Sequence, residues 1–176
     1  MRLLSKTAPV PREVHDKFEA VEFSCLAPTS IQAHEDVGAS TNIIHPVKTI
    51  TSYCKFADKR GEFLGILNSG NWQEINLVQT NESATRGGHY HRKATEIIFL
   101  IEGQAQVILA PYDDLERSQE YTLEPSHGIQ IPPYTAHRFI YQAKSKHLQL
   151  LDLRFDPMNE DLFAVDNSFG CRVSLS

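Results

Sequence analysis

The chain has 176 residues, enough for one filled core and short for two, so a single domain with an appendage is the expectation. Hydrophobic residues make up 41% and charged residues 22%, proportions that exclude a disordered polyelectrolyte. A formal charge of −5 offers no broad attraction to nucleic acid or an anionic membrane, and neither is expected as a partner.

The opening stretch MRLLSKTAPVP lacks the apolar segment of a secretory signal, and no run approaches the roughly 18 apolar residues of a membrane helix, so a cytoplasmic location is expected. Cys25, Cys54 and Cys171 are odd in number and widely spaced, which fits reduced thiols better than a disulfide framework. In PREVHDKFEAVEF, Val14, Phe18 and Val21 recur on one face at helical spacing, predicting a short packed helix. A second short helix is expected from Thr29, where T-x-x-Q to Gln32 is a capping-box pattern and Gly38 is a natural stop.

From about Val47 the texture changes to short β-rich runs: VKTITSYCKF, EFLGIL, EINLVQT, EIIFLIEG, QAQVILA, GIQIPP, HRFIYQ and HLQLLDLRF. Turn residues such as DKRG, NSGN, EG and PSHG separate them, and no βαβ rhythm is present. The pattern predicts an antiparallel all-β sandwich or barrel over residues 47–157, with an N-terminal extension over 1–46 and a C-terminal tail over 158–176.

Chemistry concentrates in RGGHYHRKATEIIFLIEG, residues 86–103. On a strand, alternate side chains share a face, so His89 and His91 would present two imidazoles to one ion. Glu96 follows after a short connection that reads as a hairpin corner, and Ile97–Ile101 reads as barrel wall, which lets Glu96 face the same cavity. Further on, IPPYTAHRF offers His137 after a Pro-rich corner. Three nitrogens and one carboxylate oxygen make a first shell for a divalent transition metal. An H-x-H pair alone is more often two surface histidines; the whole spacing is what carries the expectation.

That spacing resembles the two-part motif of the cupin superfamily, with HYHRKATEIIFLIEG as the first part and PPYTAH, Pro132 to His137, as the second. The resemblance implies a double-stranded β-helix, or jelly-roll, barrel holding a metal on His89, His91, Glu96 and His137, with zinc first and nickel, iron or manganese behind it. The sequence departs from the motif where Ser83 and Tyr134 stand in place of glycines and Tyr141 in place of an asparagine. DKRGEF (58–63), QTNES (79–83) and RGGHY (86–90) further resemble nucleotide-sugar cupins: the 3,5-epimerases, the 3,4-ketoisomerases and, most closely, the metal-containing C-terminal domain of bifunctional capsule-synthesis reductases. FDPMNEDLF, from Phe155, is similar to that domain's tail. No Rossmann fingerprint precedes the barrel motifs, so a keto-sugar is expected to arrive from another enzyme.

The resemblance implies an isomerase acting on a nucleotide-linked 4-keto-6-deoxy sugar in polysaccharide synthesis, by α-proton removal. His89 matches the family's base, His91 and Tyr134 join it as catalytic candidates, and Tyr141 and His127 stand behind them as further acid or base candidates. Arg60, Arg86 and Asn81 are expected at the substrate, the arginines on its diphosphate. Arg92, Lys93 and Trp72 read more simply as solvated corner and packing residues. A homodimer is expected, because cupins of this resemblance pair through their N-terminal strands. The alternatives are a metal-dependent cupin dioxygenase or lyase, which has no need of the D-x-R-G and R-G-x-H motifs, and a non-catalytic sugar-binding cupin.

Overall fold

A computed structural model describes residues 47–170, and every regular element in that span is a β-strand. The two predicted helices, Cys25 and Cys171 lie outside the described residues; Cys54 is a free thiol. The strands are β1 (Lys48–Thr51), β2 (Cys54–Asp58), β3 (Gly61–Gly65), β4 (Glu74–Thr80), β5 (Thr85–Tyr90), β6 (Glu96–Glu102), β7 (Ala105–Pro111), β8 (Gln119–Leu123), β9 (His127–Ile131), β10 (Thr135–Tyr141), β11 (Ser145–Leu151) and β12 (Phe163–Ala164). One five-stranded sheet runs β1-β9-β6-β11-β4, a second runs β12-β5-β10-β7-β8, and β2-β3 form a separate hairpin. All pairings are antiparallel, which gives the jelly-roll barrel of a cupin.

Between the sheets lie Ile98, Leu100, Val107, Leu109, Ile129, Ile131, Phe139 and Tyr141. The run EIIFLIE of β6 is apolar on both faces because both are covered. Its outward residues Ile97 and Phe99 join Ile50 and Leu150 under Leu64, Ile66, Leu67 and Trp72 from the β2-β3 hairpin and the loop after it. Each such side chain contributes about 1.5–3 kcal/mol by leaving water. Trp72 is therefore a packing residue, its indole N–H donating to the Ser69 carbonyl at 2.8 Å.

The strands differ from the sequence expectation in three places. Residues 47–56 divide at Ser52 into two strands belonging to different sheets. QEYTL forms β8 although its composition is polar, because it pairs with β7 at a sheet edge and needs only one apolar face. The C-terminal segment is bound to the barrel, with Phe163 paired to Tyr90 and Ala164 to His89, and Phe169 is buried against Tyr90 and Ile108.

The connection 91–95 is not a hairpin corner, since β5 and β6 belong to opposite sheets and the chain crosses between them. A β-bulge aims β5 at the cavity. Opposite β10 the register runs His89 to His137, then Gly87 to Arg138, then Arg86 to Phe139, so one extra residue is inserted at Gly88. Arg86 and His89, three apart, would point to opposite faces of a regular strand; the inserted residue brings both to the cavity side. Gly87, at φ +82, allows it, because a Cβ there would lie 2.6 Å from the His137 carbonyl oxygen.

Ser83 and Tyr134, which replace motif glycines, keep the glycine-like backbone, each at φ 61. The loops retain their shape at about 1–2 kcal/mol for each left-handed non-glycine residue. The Gly87 contact predicts that Gly87→Ala destabilises the protein by about 2–5 kcal/mol through clash plus strain. Gly61→Ala, at φ +129 with no heavy atom within 4 Å, should cost about 1–2 kcal/mol. Urea unfolding of both variants beside the parent measures the difference, and equal losses would contradict the bulge argument.

Candidate functional site

Within the barrel four side chains converge. His89 is the penultimate residue of β5, His91 lies just past its end, Glu96 opens β6 and His137 sits in β10. Their ligating atoms all lie within 4.8 Å of one another. His137 Nε2 is 3.1 Å from His89 Nε2 and 3.1 Å from Glu96 Oε2, and His91 Nε2 is 3.7 Å from the same oxygen. Exposure is 1% for His137, 2% for Glu96 and 7% for His91.

The opposite ring nitrogens fix the tautomers. His91 Nδ1 bonds the Asp161 carbonyl, His137 Nδ1 bonds the Thr135 carbonyl at 3.2 Å, and His89 bonds the backbone of Gly87. A ring nitrogen that donates to a carbonyl carries the proton, which leaves each Nε2 as a lone pair aimed at the same point. Buried lone pairs at 3.1 Å repel unless something positive lies between them. His91 Nε2 and Glu96 Oε2 are indeed buried without hydrogen-bond partners. Tetrahedral ligands at about 2.0 Å from zinc are about 3.3 Å apart, so the donor spacing fits a small divalent cation.

Burial works against charge on Glu96, but the nearby His137 and His91 rings and the bond from Gln149 hold its carboxyl down to about 2. His89 is pushed down to about 4, first by burial and next by His137. In His91 burial is outweighed by Glu96, and its pKa rises. At neutral pH the cluster therefore keeps an ionised carboxylate and a neutral His89, the forms that bind metal.

Three residues to which the sequence motifs assign no role support the site. Gln149 donates to Glu96 Oε1 at 2.6 Å and receives the Asn76 amide at 3.3 Å. His147 lines the same cavity. Alternation puts His147 and Gln149 on one face, but a strand buried on both sides does not reveal which face is inward. Asp161 accepts the N–H groups of Arg92, Lys93 and Ala94 at 3.1, 2.9 and 2.8 Å, clamping the crossing loop while its carbonyl holds His91. No local pattern ties a tail aspartate to a loop 67 or more residues earlier.

The cavity above the cluster measures about 110 Å³, and Arg86, His89, Glu96, His137, Tyr141 and His147 are among its lining residues. Arg86 directs Nε to Thr80 Oγ1 at 2.8 Å and Nη2 to the Gln79 carbonyl at 3.3 Å. The other expected site residues lie elsewhere. Tyr134 is 44% exposed beside Tyr90 and Tyr112, and does not line the cavity. Arg60 is held by the Asp58 carboxylate in the exposed β2-β3 turn, with its closest contact at 2.6 Å, and Asn81 is exposed just after β4. His127 bonds the Pro125 carbonyl on the exposed end of β9, and Arg92 stacks 3.9 Å over Phe163.

A jelly roll with a His3Glu cluster inside the barrel defines a cupin. The polysaccharide biosynthesis C-terminal domain family matches residues 56–163, and the chain belongs to that family. No curated protein matches the sequence. Among solved structures, it is similar to the 3,4-ketoisomerase QdtA of Thermoanaerobacterium thermosaccharolyticum in complex with TDP, at 20% identity and TM-score 0.56 over 69% of this chain and 89% of that one. A dTDP-4-dehydrorhamnose 3,5-epimerase from Sulfolobus tokodaii has 21% identity and TM-score 0.60, covering 73% and 81%. The capsular polysaccharide assembling protein CapF of Staphylococcus aureus has 17% identity and TM-score 0.51; 69% of this chain matches 33% of that one. At these identities the likeness establishes the fold.

The Asp161 clamp predicts that Asp161→Ala lowers stability by about 1–2 kcal/mol, with Asn intermediate. The Asp161 pKa is depressed below 3.8, since the three amide bonds outweigh burial. Its contribution is therefore complete above the unfolded value and lost as pH falls through the folded one. The melting-temperature gap between parent and Asp161→Ala should be constant above about pH 5 and close in stronger acid.

Proposed function

We propose that this chain is a metal-binding isomerase of the cupin fold, acting on a nucleotide-diphosphate-linked 4-keto-6-deoxy sugar by epimerisation or keto-isomerisation in surface-polysaccharide synthesis. The observation that carries the reading is the convergence of three imidazole lone pairs and one carboxylate in the cavity that Arg86 also lines. The similar structures that act on TDP-linked or dehydro sugars, and the polysaccharide family itself, favour this substrate class.

His89, His91, Glu96 and His137 would hold the ion, and a nitrogen-rich set with one oxygen suits zinc ahead of nickel, iron or manganese. A divalent cation bound there supplies Lewis acidity toward a ketone oxygen. Gln149 holds Glu96 from the side by occupying its second oxygen. Arg86 keeps N–H groups beyond those given to Thr80 and Gln79, and its planar fork suits a phosphate. His89 is part of the donor set through Nε2 and bonds Gly87 through its other side, so it has no nitrogen left to take a proton.

The proposal extends to a homodimer. Among the described residues β4 is a sheet edge and turns Ile75 and Leu77, 63% and 62% exposed, outward beside Leu148. A second copy would cover this stripe and the open edge. Sedimentation equilibrium should give a dimer at micromolar concentration, and Ile75→Lys with Leu77→Lys should shift it to monomer.

Protein purified without added metal should contain close to one divalent ion per chain by elemental analysis. Substituting His89, His91 and His137 together with alanine should remove it, and unchanged metal content would contradict the site. Glu96→Gln should weaken metal binding and turnover together. Arg86→Ala should raise KM for the nucleotide sugar roughly 10- to 100-fold with metal retained. In deuterium oxide, the loaded enzyme should exchange the α-proton of at least one 4-keto-6-deoxy nucleotide sugar; no exchange on any would contradict the reaction.

A further inference from the structure

Resting on that functional reading, we infer that His147, oriented by Tyr141, is the general base that the metal-coordinated histidines cannot be. The inference starts from what the cavity contains. Its titratable lining groups are Arg86, His89, Glu96, His137, Tyr141 and His147. Three of these belong to the donor cluster, and a guanidinium does not act as a base near neutral pH. Only Tyr141 and His147 remain, and they form a pair. Tyr141 Oη is 3.1 Å from His147 Nδ1, and the rings lie parallel at 10° with centroids 5.5 Å apart. His147 is 3% exposed and Tyr141 1%, so both positions are fixed by packing.

Strand geometry places the pair. On β11 His147 and Gln149 share a face, and Gln149 reaches Glu96. His147 therefore sits one inward position along the strand from a direct partner of the cluster. On β10 Tyr141 follows His137 and Phe139 at successive inward positions. The dyad and the cluster occupy successive levels of one cavity, with Arg86 on the same wall.

In the proposed tautomer His147 Nδ1–H donates to the Tyr141 oxygen, 3.1 Å away, and Nε2 carries a lone pair that no hydrogen bond engages among the described residues. In the proposed step the C–H bond α to the keto group breaks and the proton goes to Nε2. The electron pair of that bond forms the carbon–carbon double bond of the enolate, and negative charge passes to the former carbonyl oxygen. Return of the proton from Nε2, after exchange with water, restores the base. Burial first and Arg86 second hold the His147 pKa down to about 4, so the ring is neutral at pH 7. An anionic substrate group on Arg86 would offset the second of these influences and make the ring more basic once substrate is bound.

The test uses the metal-loaded full chain with TDP-4-keto-6-deoxyglucose in deuterium oxide, reading α-proton exchange by NMR. Metal content and the affinity for TDP are measured on the same samples. His147→Gln and His147→Phe should each lower the exchange rate by about 10²–10⁴-fold, the contribution of a positioned base, with metal content and TDP affinity unchanged. Tyr141→Phe, which removes the orienting oxygen and keeps the ring, should lower it about tenfold. Exchange within threefold of the parent in a folded His147 variant would overturn the assignment while leaving the isomerase reading intact. A parent protein that holds metal and TDP but exchanges the α-proton of no 4-keto-6-deoxy nucleotide sugar overturns the isomerase reading and this inference together. Loss of metal in both His147 variants would overturn it by showing that the residue supports the cluster.

Discussion

The site depends on one electrostatic constraint: lone pairs that repel one another are held together where water is excluded. Three imidazole Nε2 atoms and a carboxylate oxygen converge inside the barrel, and two of those atoms have no hydrogen-bond partner. Such an arrangement is costly in itself, because buried polar groups without partners lose hydration and gain nothing. What maintains it is the backbone. Carbonyls of Thr135 and Asp161 and the backbone of Gly87 take up the other sides of the rings, and rigid strands fix the directions.

Those strands come from both sheets, and that explains several otherwise separate features. The bulge at Gly87 and Gly88 turns Arg86 toward the cavity that already holds His89. The crossing at 91–95 carries the chain from one sheet to the other, so that Glu96 faces His137 across the barrel at 3.1 Å. A crossing loop in irregular conformation needs acceptors for its amides, and Asp161 supplies them from the far end of the chain. The C-terminal segment is thus part of the site's support.

The cavity divides its polar groups into two sets by what each group has left to offer. The cluster's histidines have both ring nitrogens committed, one to backbone and one to the shared centre. Tyr141 and His147 bond each other and face the cavity, with Thr80 as a further partner of the Tyr141 hydroxyl. The proposed proton transfer beside a bound cation would call for this division, since a ligand nitrogen has no lone pair to spare.

The sequence alone determined the all-β class and, through its resemblance to a family motif, pointed to His89, His91, Glu96 and His137 as neighbours, because alternation, turn chemistry and motif spacing are local properties of a chain. Tertiary structure decided what local patterns do not encode. It made the 91–95 connection a crossing between sheets, since sheet membership follows from pairing with distant strands. It left Tyr134, Arg60 and Asn81 outside the cavity, although their motifs sit beside the ligands or match the family in order. It also brought in Gln149, His147 and Asp161: a strand buried on both faces does not reveal which side faces the cavity, and a tail aspartate meets its loop only when the barrel closes. Spacing along the chain fixes which side chains share a strand face; only folding fixes which faces meet.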